Sequence, residues 1–144
     1  MSFKRILVAV DWSAFAARAA DVGLDLARSL GAQVAFINVV DPTTAVVPQG
    51  GYAAGDLITL AKQDSKRLLA AFRERAPVEP APLEFVHVGK PPEEIAKAAK
   101  DWPADLIVIG SHGRGGVERL FLGSVAEAVM REAPCPVLVV RASE

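Results

Sequence analysis

Five short apolar runs alternating with four helical stretches predict an α/β fold, a single open five-stranded parallel sheet with helices on both faces. Three observations carry that prediction. β-Branched runs such as Ile6-Leu7-Val8-Ala9-Val10 and Leu106-Ile107-Val108-Ile109 are almost continuously apolar, as in strands covered on both faces. The segments between such runs show helical spacing. No composition break or internal repeat divides the 144 residues, so the chain reads as one domain, residues 1–144, long enough to bury a core without disulfides or metals.

The first strand is read at Ile6–Val10. Ser13 then caps a helix whose Ala16, Ala20, Gly23/Leu24, Ala27 and Leu30 recur at helical spacing, with Gly31 as its stop. The second strand runs from Gln33 to Val40 and ends at Asp41-Pro42. A loop rich in small residues, Thr43 to Gly55, is longer than a median connection and reads as a mobile flap. Leu57, Leu60, Ala61, Leu68 and Phe72 mark a long amphipathic helix that Pro77 terminates. The third strand is Leu83–Val88. Pro91-Pro92-Glu93-Glu94 opens the next helix, because proline is tolerated and carboxylates are favoured in a first turn. Asp105–Ile109 is the fourth strand, Ser124–Glu132 the last helix and Val137–Val140 the fifth strand.

Composition narrows the function classes. With 51% hydrophobic and 23% charged residues the chain is globular, and a formal net charge of -1 supplies no basic field for nucleic acid. The only cysteine, Cys135, sits between Pro134 and Pro136 and is read as a packing residue, with no disulfide or structural zinc implied. Lys4-Arg5 before Ile6–Val10 superficially suggests a leader, but Asp11 interrupts the apolar run, and no stretch approaches a membrane span. The expectation is a cytoplasmic protein with no membrane and no nucleic-acid partner.

The chemistry concentrates at two strand ends. Gly110-Ser111-His112-Gly113 follows the fourth strand, and after nine residues Gly123-Ser124 opens a helix. Glycines let the backbone turn and let a ligand approach main-chain N–H groups, while a helix N-terminus offers unpaired donors and partial positive charge. This is the pattern of an anion site, phosphate above all. Asp11 ends the first strand. In open parallel sheets ligands bind beyond the carboxyl ends of the strands where the strand order reverses, so neighbouring first and fourth strands would bring Asp11 and Gly110 to one cleft. Neither a Gly-x4-Gly-Lys-Ser/Thr P-loop nor a Gly-x-Gly-x-x-Gly turn after the first strand is present.

These residues resemble the universal stress protein family, and within it the ATP-binding branch. The pattern Gly-2x-Gly-9x-Gly-Ser/Thr is met by Gly110, Gly113, Gly123 and Ser124, and the resemblance extends through Ile-Leu-Val-Ala-Val-Asp-Trp-Ser, Asn38-Val39-Val40-Asp41 and the closing Pro134 to Val140. It implies a Rossmann-like sheet of the adenine nucleotide α-hydrolase type, in the order 3-2-1-4-5. It also implies that Asp11 accepts hydrogen bonds from ribose hydroxyls, a task suited to an acceptor-only carboxylate. The backbone near Ala9 and Val39 would border adenine and Gly110 would lie against the ribose. Main-chain groups at Gly113, Gly123, Ser124 and Val125 would hold the phosphates. ATP would bring Mg2+ or Mn2+, bound mainly through phosphate and water. A homodimer through the exposed apolar edge of strand 137–140 is expected as well.

The implied function is a nucleotide-dependent stress-response regulator with at most slow ATP hydrolysis, and no catalytic residue is assigned. The competing readings are a nucleotide-independent dimeric interaction module and a related nucleotide α-hydrolase or flavoprotein-type domain. His112 is read as a loop residue, since no nucleophile or orienting partner is identifiable. Arg114 and Arg119 read as exposed basic side chains, His87 and Lys90 as surface residues. Trp12 either covers the cleft or packs beside the first helix.

Overall fold

The computed structural model describes residues 2–44, 54–75, 78–112 and 122–141, and of residue 54 only the backbone. The elements run β1 (Arg5–Ala9), α1 (Ala14–Leu30), β2 (Gln33–Val40), α2 (Ala54–Glu74), β3 (Leu83–Val88), α3 (Pro91–Asp101), β4 (Leu106–Gly110), α4 (Ser124–Glu132) and β5 (Val137–Val140). All described strand pairs are parallel, and the order is β3-β2-β1-β4-β5. The chain starts in the middle, winds outward through β2 and β3, then returns to place β4 on the other side of β1. That reversal leaves a crevice beyond the carboxyl ends of β1 and β4.

Strand side chains alternate between two cores. Ile6, Val8, Val10, Val34, Phe36 and Val108 face α1 and α2, together with Leu24, Leu68, Leu69 and Phe72. Leu7, Ala9, Ala35, Ile37, Ile107 and Ile109 face α3 and α4, together with Ile95, Ala98, Ala126 and Val129. The three inner strands β1, β2 and β4 are therefore buried on both faces, which is why their sequences are almost continuously apolar, while the edge strands β3 and β5 are part-exposed.

Local chemistry accounts for the helix limits. Ser13 Oγ accepts the Ala16 amide at 3.1 Å, a cap that contributes about 1 kcal/mol. Gly31 closes α1 in the left-handed conformation, φ 65°, where a Cβ would be strained. Gly23 lets α1 lie close on β1, because a Cβ there would meet Val8 Cγ2 at 2.7 Å.

Three boundaries differ from expectation. β1 and β4 sit one residue from their expected ranges, at Arg5–Ala9 and Leu106–Gly110. At their starts, the Asp105 carboxylate leaves the strand to accept the Lys4 and Arg5 amides at 2.7 and 2.9 Å. At the far end, Gly110 is a strand residue paired with Val140. α2 begins at Ala54, inside the stretch read as flap, with Asp56 in its first turn facing the positive end of the helix dipole. The remainder of that flap, residues 45–53, and Pro77 lie outside the described residues.

Candidate functional site

The carboxyl ends of β1, β2 and β4 open into a cleft of about 1250 Å³. Seven of the eight residues singled out from sequence line it: Ala9, Asp11, Val39, Gly110, Gly123, Ser124 and Val125. Gly113, with Arg114 and Arg119, lies outside the described residues. The α3/α4 side of the cleft is apolar, walled by Ala9, Ile37, Val39, Ile95 and Ile109. The opposite side carries Asp11, Trp12, Asn38 and Asp64.

Asp11 stands where β1 turns into α1. Its Oδ1 accepts the Ser13 amide at 2.8 Å, an Asx-type turn that aims the carboxylate and presents Ser13 for capping. Asp41 does the same at the end of β2. Its Oδ1 accepts the Thr43 hydroxyl at 2.7 Å and the Thr43 amide at 2.9 Å. These two bonds, with the nearby positive charge of Lys90, hold the Asp41 carboxyl below the ordinary carboxylate range.

At the other end of the cleft α4 starts without a side-chain cap. Its first i to i−4 bond is Glu127 N–H to Gly123 C=O at 3.0 Å, so the Ser124, Val125 and Ala126 amides precede the helical ladder. The Gly123 amide differs from the sequence expectation. It donates to the Ser111 carbonyl at 2.7 Å and is already engaged in closing the loop. The two glycines prove to be matters of space. Gly123 has φ −65°, which any residue adopts, but a Cβ there would lie 2.9 Å from the Ser111 carbonyl oxygen. A Cβ on Gly110 would lie 2.9 Å from Phe15 Cβ and 3.0 Å from the Phe15 carbonyl carbon.

His112 lines the cleft with its ring against Phe15, centroids 5.3 Å apart, and its Nδ1 3.2 Å from Ser111 Oγ. Its Nε2 is buried without a hydrogen-bond partner among the described residues. Lys90, read from sequence as a surface residue, is exposed and also lines the cleft, directly after Gly89 at φ 154° between β3 and α3. His87, read likewise, is part-buried with Nδ1 3.0 Å from Glu94 Oε1. Cys135 packs against the α3/α4 core, where burial and the charge of Asp105 push its thiol up. Among the described residues no group of three or more His, Cys, Asp or Glu is placed to hold a metal. Nor is any described helix long and apolar enough to cross a membrane.

Sequence reading gave no role to Asn38, quoted only as part of a matching stretch, and passed over Asp64 and Ser65. Asn38 Nδ2 donates to the Val10 carbonyl at 2.8 Å, and its Oδ1 accepts the Ser65 hydroxyl at 2.7 Å. Trp12 Nε1 donates to Asp64 Oδ2 at 3.0 Å. The detectable signal was polarity out of place: Asn38 interrupts an apolar strand, and Ser65 stands in the stripe of Ala61, Leu68 and Phe72. A polar side chain at a core position needs a partner, and each supplies the other's.

Doubly wound domains with this strand order are a broad class, and the comparisons with known proteins narrow it. Residues 2–141 match the universal stress protein family. A universal stress protein of Thermus aquaticus is 38% identical over 139 residues, covering 96% of this chain and 99% of the relative. Among solved structures, universal stress protein UspA from Lactobacillus plantarum superposes with a TM-score of 0.82 at 28% identity, covering 98% of this chain and 99% of that one. The universal stress protein from Archaeoglobus fulgidus in complex with dAMP superposes at 0.60 and 28% identity, covering 96% and 98%. The chain belongs to the universal stress protein family.

Proposed function

We propose that this protein binds ATP in the cleft between the ends of β1 and β4 and acts as a nucleotide-dependent regulator of the stress response. The observation that carries the reading is the arrangement of two dissimilar groups in one cleft. A carboxylate, Asp11, stands at one end, and the side-chain-uncapped start of α4 stands at the other. A carboxylate suits sugar hydroxyls and repels phosphate, while amides at a helix N-terminus suit phosphate. Between them, the apolar wall of Ala9, Ile37, Val39 and Ile109 suits a flat base. The dAMP complex of the Archaeoglobus relative supports a nucleotide as the ligand class.

In this reading Asp11 takes the ribose, the backbone at Ala9 and Val39 borders adenine, and Gly110 lies beneath the sugar. Ser124 and Val125, with Gly113, receive the phosphates. Mg2+ or Mn2+ enters with the triphosphate, held mainly by phosphate oxygens and water. No residue is assigned to catalysis. Fast hydrolysis needs a positioned base and charge stabilisation at the leaving phosphate. The reading carries at most slow hydrolysis. A homodimer through β5 completes the proposal, since β5 is an edge strand and carries Leu138 at 37% exposure.

Calorimetric titration with ATP and Mg2+ tests the reading and should give one site per chain. Nucleotide released by denaturing freshly purified protein separates it from its rivals. Adenine nucleotide agrees with it, and flavin would instead indicate a flavoprotein-type domain.

A further inference from the structure

Asp11 is held from both sides by one helix. On its N-terminal side, the Val10 carbonyl accepts from Asn38 Nδ2, and Asn38 Oδ1 accepts from the Ser65 hydroxyl, which is 2% exposed. On its C-terminal side, Trp12 donates to Asp64. Asp64 and Ser65 are consecutive residues of α2. Successive helical positions diverge by about 100°, so one turns toward the sheet and the other toward the β1–α1 turn.

The Val10 carbonyl and the Asp11 amide share one planar peptide unit, so fixing the carbonyl fixes the plane from which Asp11 departs. β1 ends at Ala9, and the Val10 amide still pairs with the Ile37 carbonyl at 2.9 Å. The Val10 carbonyl, by contrast, depends on the Asn38 side chain. That bond also settles the amide orientation, because a flipped Asn38 would set oxygen against oxygen. The far end of the chain of bonds is buried, so removing the Ser65 hydroxyl leaves the Asn38 oxygen unpaired. Trp12 is 51% exposed, and its tie to Asp64 restrains the other flank of the turn.

We propose that Asp64 and Ser65 are positioning residues for Asp11, a two-point clamp from α2 that sets how strongly the cleft demands sugar hydroxyls. The inference rests on the proposed ribose role of Asp11. It makes the sugar preference a property of α2, an element outside the glycine motif.

The test is the ratio of affinities for ATP and 2′,3′-dideoxy-ATP, measured on wild type, Asp11→Ala, Ser65→Ala, Asp64→Ala and Asp64→Asn, each with its thermal midpoint. A merely structural lesion weakens both nucleotides alike. Loss of the clamp lowers the ratio about fivefold in Ser65→Ala and two- to threefold in Asp64→Ala, with dideoxy-ATP affinity within about twofold of wild type. Asp64→Asn keeps an acceptor for the indole N–H and restores the ratio. Asp64 is exposed, so its variants carry the test if Ser65→Ala fails to fold. If Asp11→Ala abolishes the ratio while a folded Ser65→Ala or Asp64→Ala retains it, the clamp is overturned and the ribose reading stands. A wild-type ratio of one overturns both.

Discussion

The Gly123 amide donates to the Ser111 carbonyl at 2.7 Å, fastening the start of α4 to the end of β4. This bond removes one amide from the anion-binding set and leaves those of Ser124, Val125 and Ala126 ahead of the helical ladder. Ser124→Ala keeps all three and removes only a hydroxyl, so ATP affinity should fall no more than about threefold, the smaller end of a single hydrogen bond. Gly123→Ala pushes a methyl group toward the Ser111 oxygen and must displace the α4 start. Its loss of affinity should exceed that of Ser124→Ala in titrations on folded protein. The reverse ranking assigns recognition to the hydroxyl instead of the backbone.

Gly110→Ala is expected to act on stability. The new Cβ meets the Phe15 backbone, which cannot rotate away, so overpacking should cost about 1–3 kcal/mol in denaturant unfolding. An unchanged midpoint would show that α1 shifts freely.

Asp11→Ala should weaken ATP about ten- to a hundredfold, the loss of a charge-assisted hydrogen bond of about 1.5–3 kcal/mol, while inorganic triphosphate is affected less. Equal ATP affinity in the folded variant removes Asp11 from the ribose subsite. Some destabilisation accompanies the change, because the Ser13 amide loses its acceptor.

Val139→Lys places a charge in the β5 edge, at a part-buried side chain that packs against the α3/α4 core, so association is compared on protein whose thermal midpoint shows it folded. Sedimentation should show weakened self-association at low protein concentration. An unchanged dimer moves the interface elsewhere.

Strand runs, the Ser13 cap and the Gly31 stop made the α/β architecture readable along the chain, because each rests on local chemistry. Sheet order came from family resemblance, and the structure agrees with it. The site was partly legible. Asp11 and the Gly110–Ser124 pattern announce themselves by residue type at strand ends, and seven of the eight selected residues meet at one cleft. What each glycine does was not legible. Gly110 and Gly123 depend on how closely Phe15 and Ser111 approach, distances that exist only after folding. Lys90 is exposed, as read, but that it also borders the cleft was not legible, since this depends on how β3 passes into α3. The Asn38–Ser65 link joins residues 27 positions apart, beyond any local pattern.

The central claim is that an adenine nucleotide occupies the β1–β4 cleft. Amide chemical-shift mapping of isotope-labelled protein titrated with Mg-ATP tests it most directly, because one experiment reports both binding and location. The account predicts saturable shifts concentrated at Ala9, Asp11, Val39, Gly110, Ser124 and Val125. Absence of shifts at millimolar ATP, or shifts gathered instead at the groove beside Arg73 and Glu84, would contradict it.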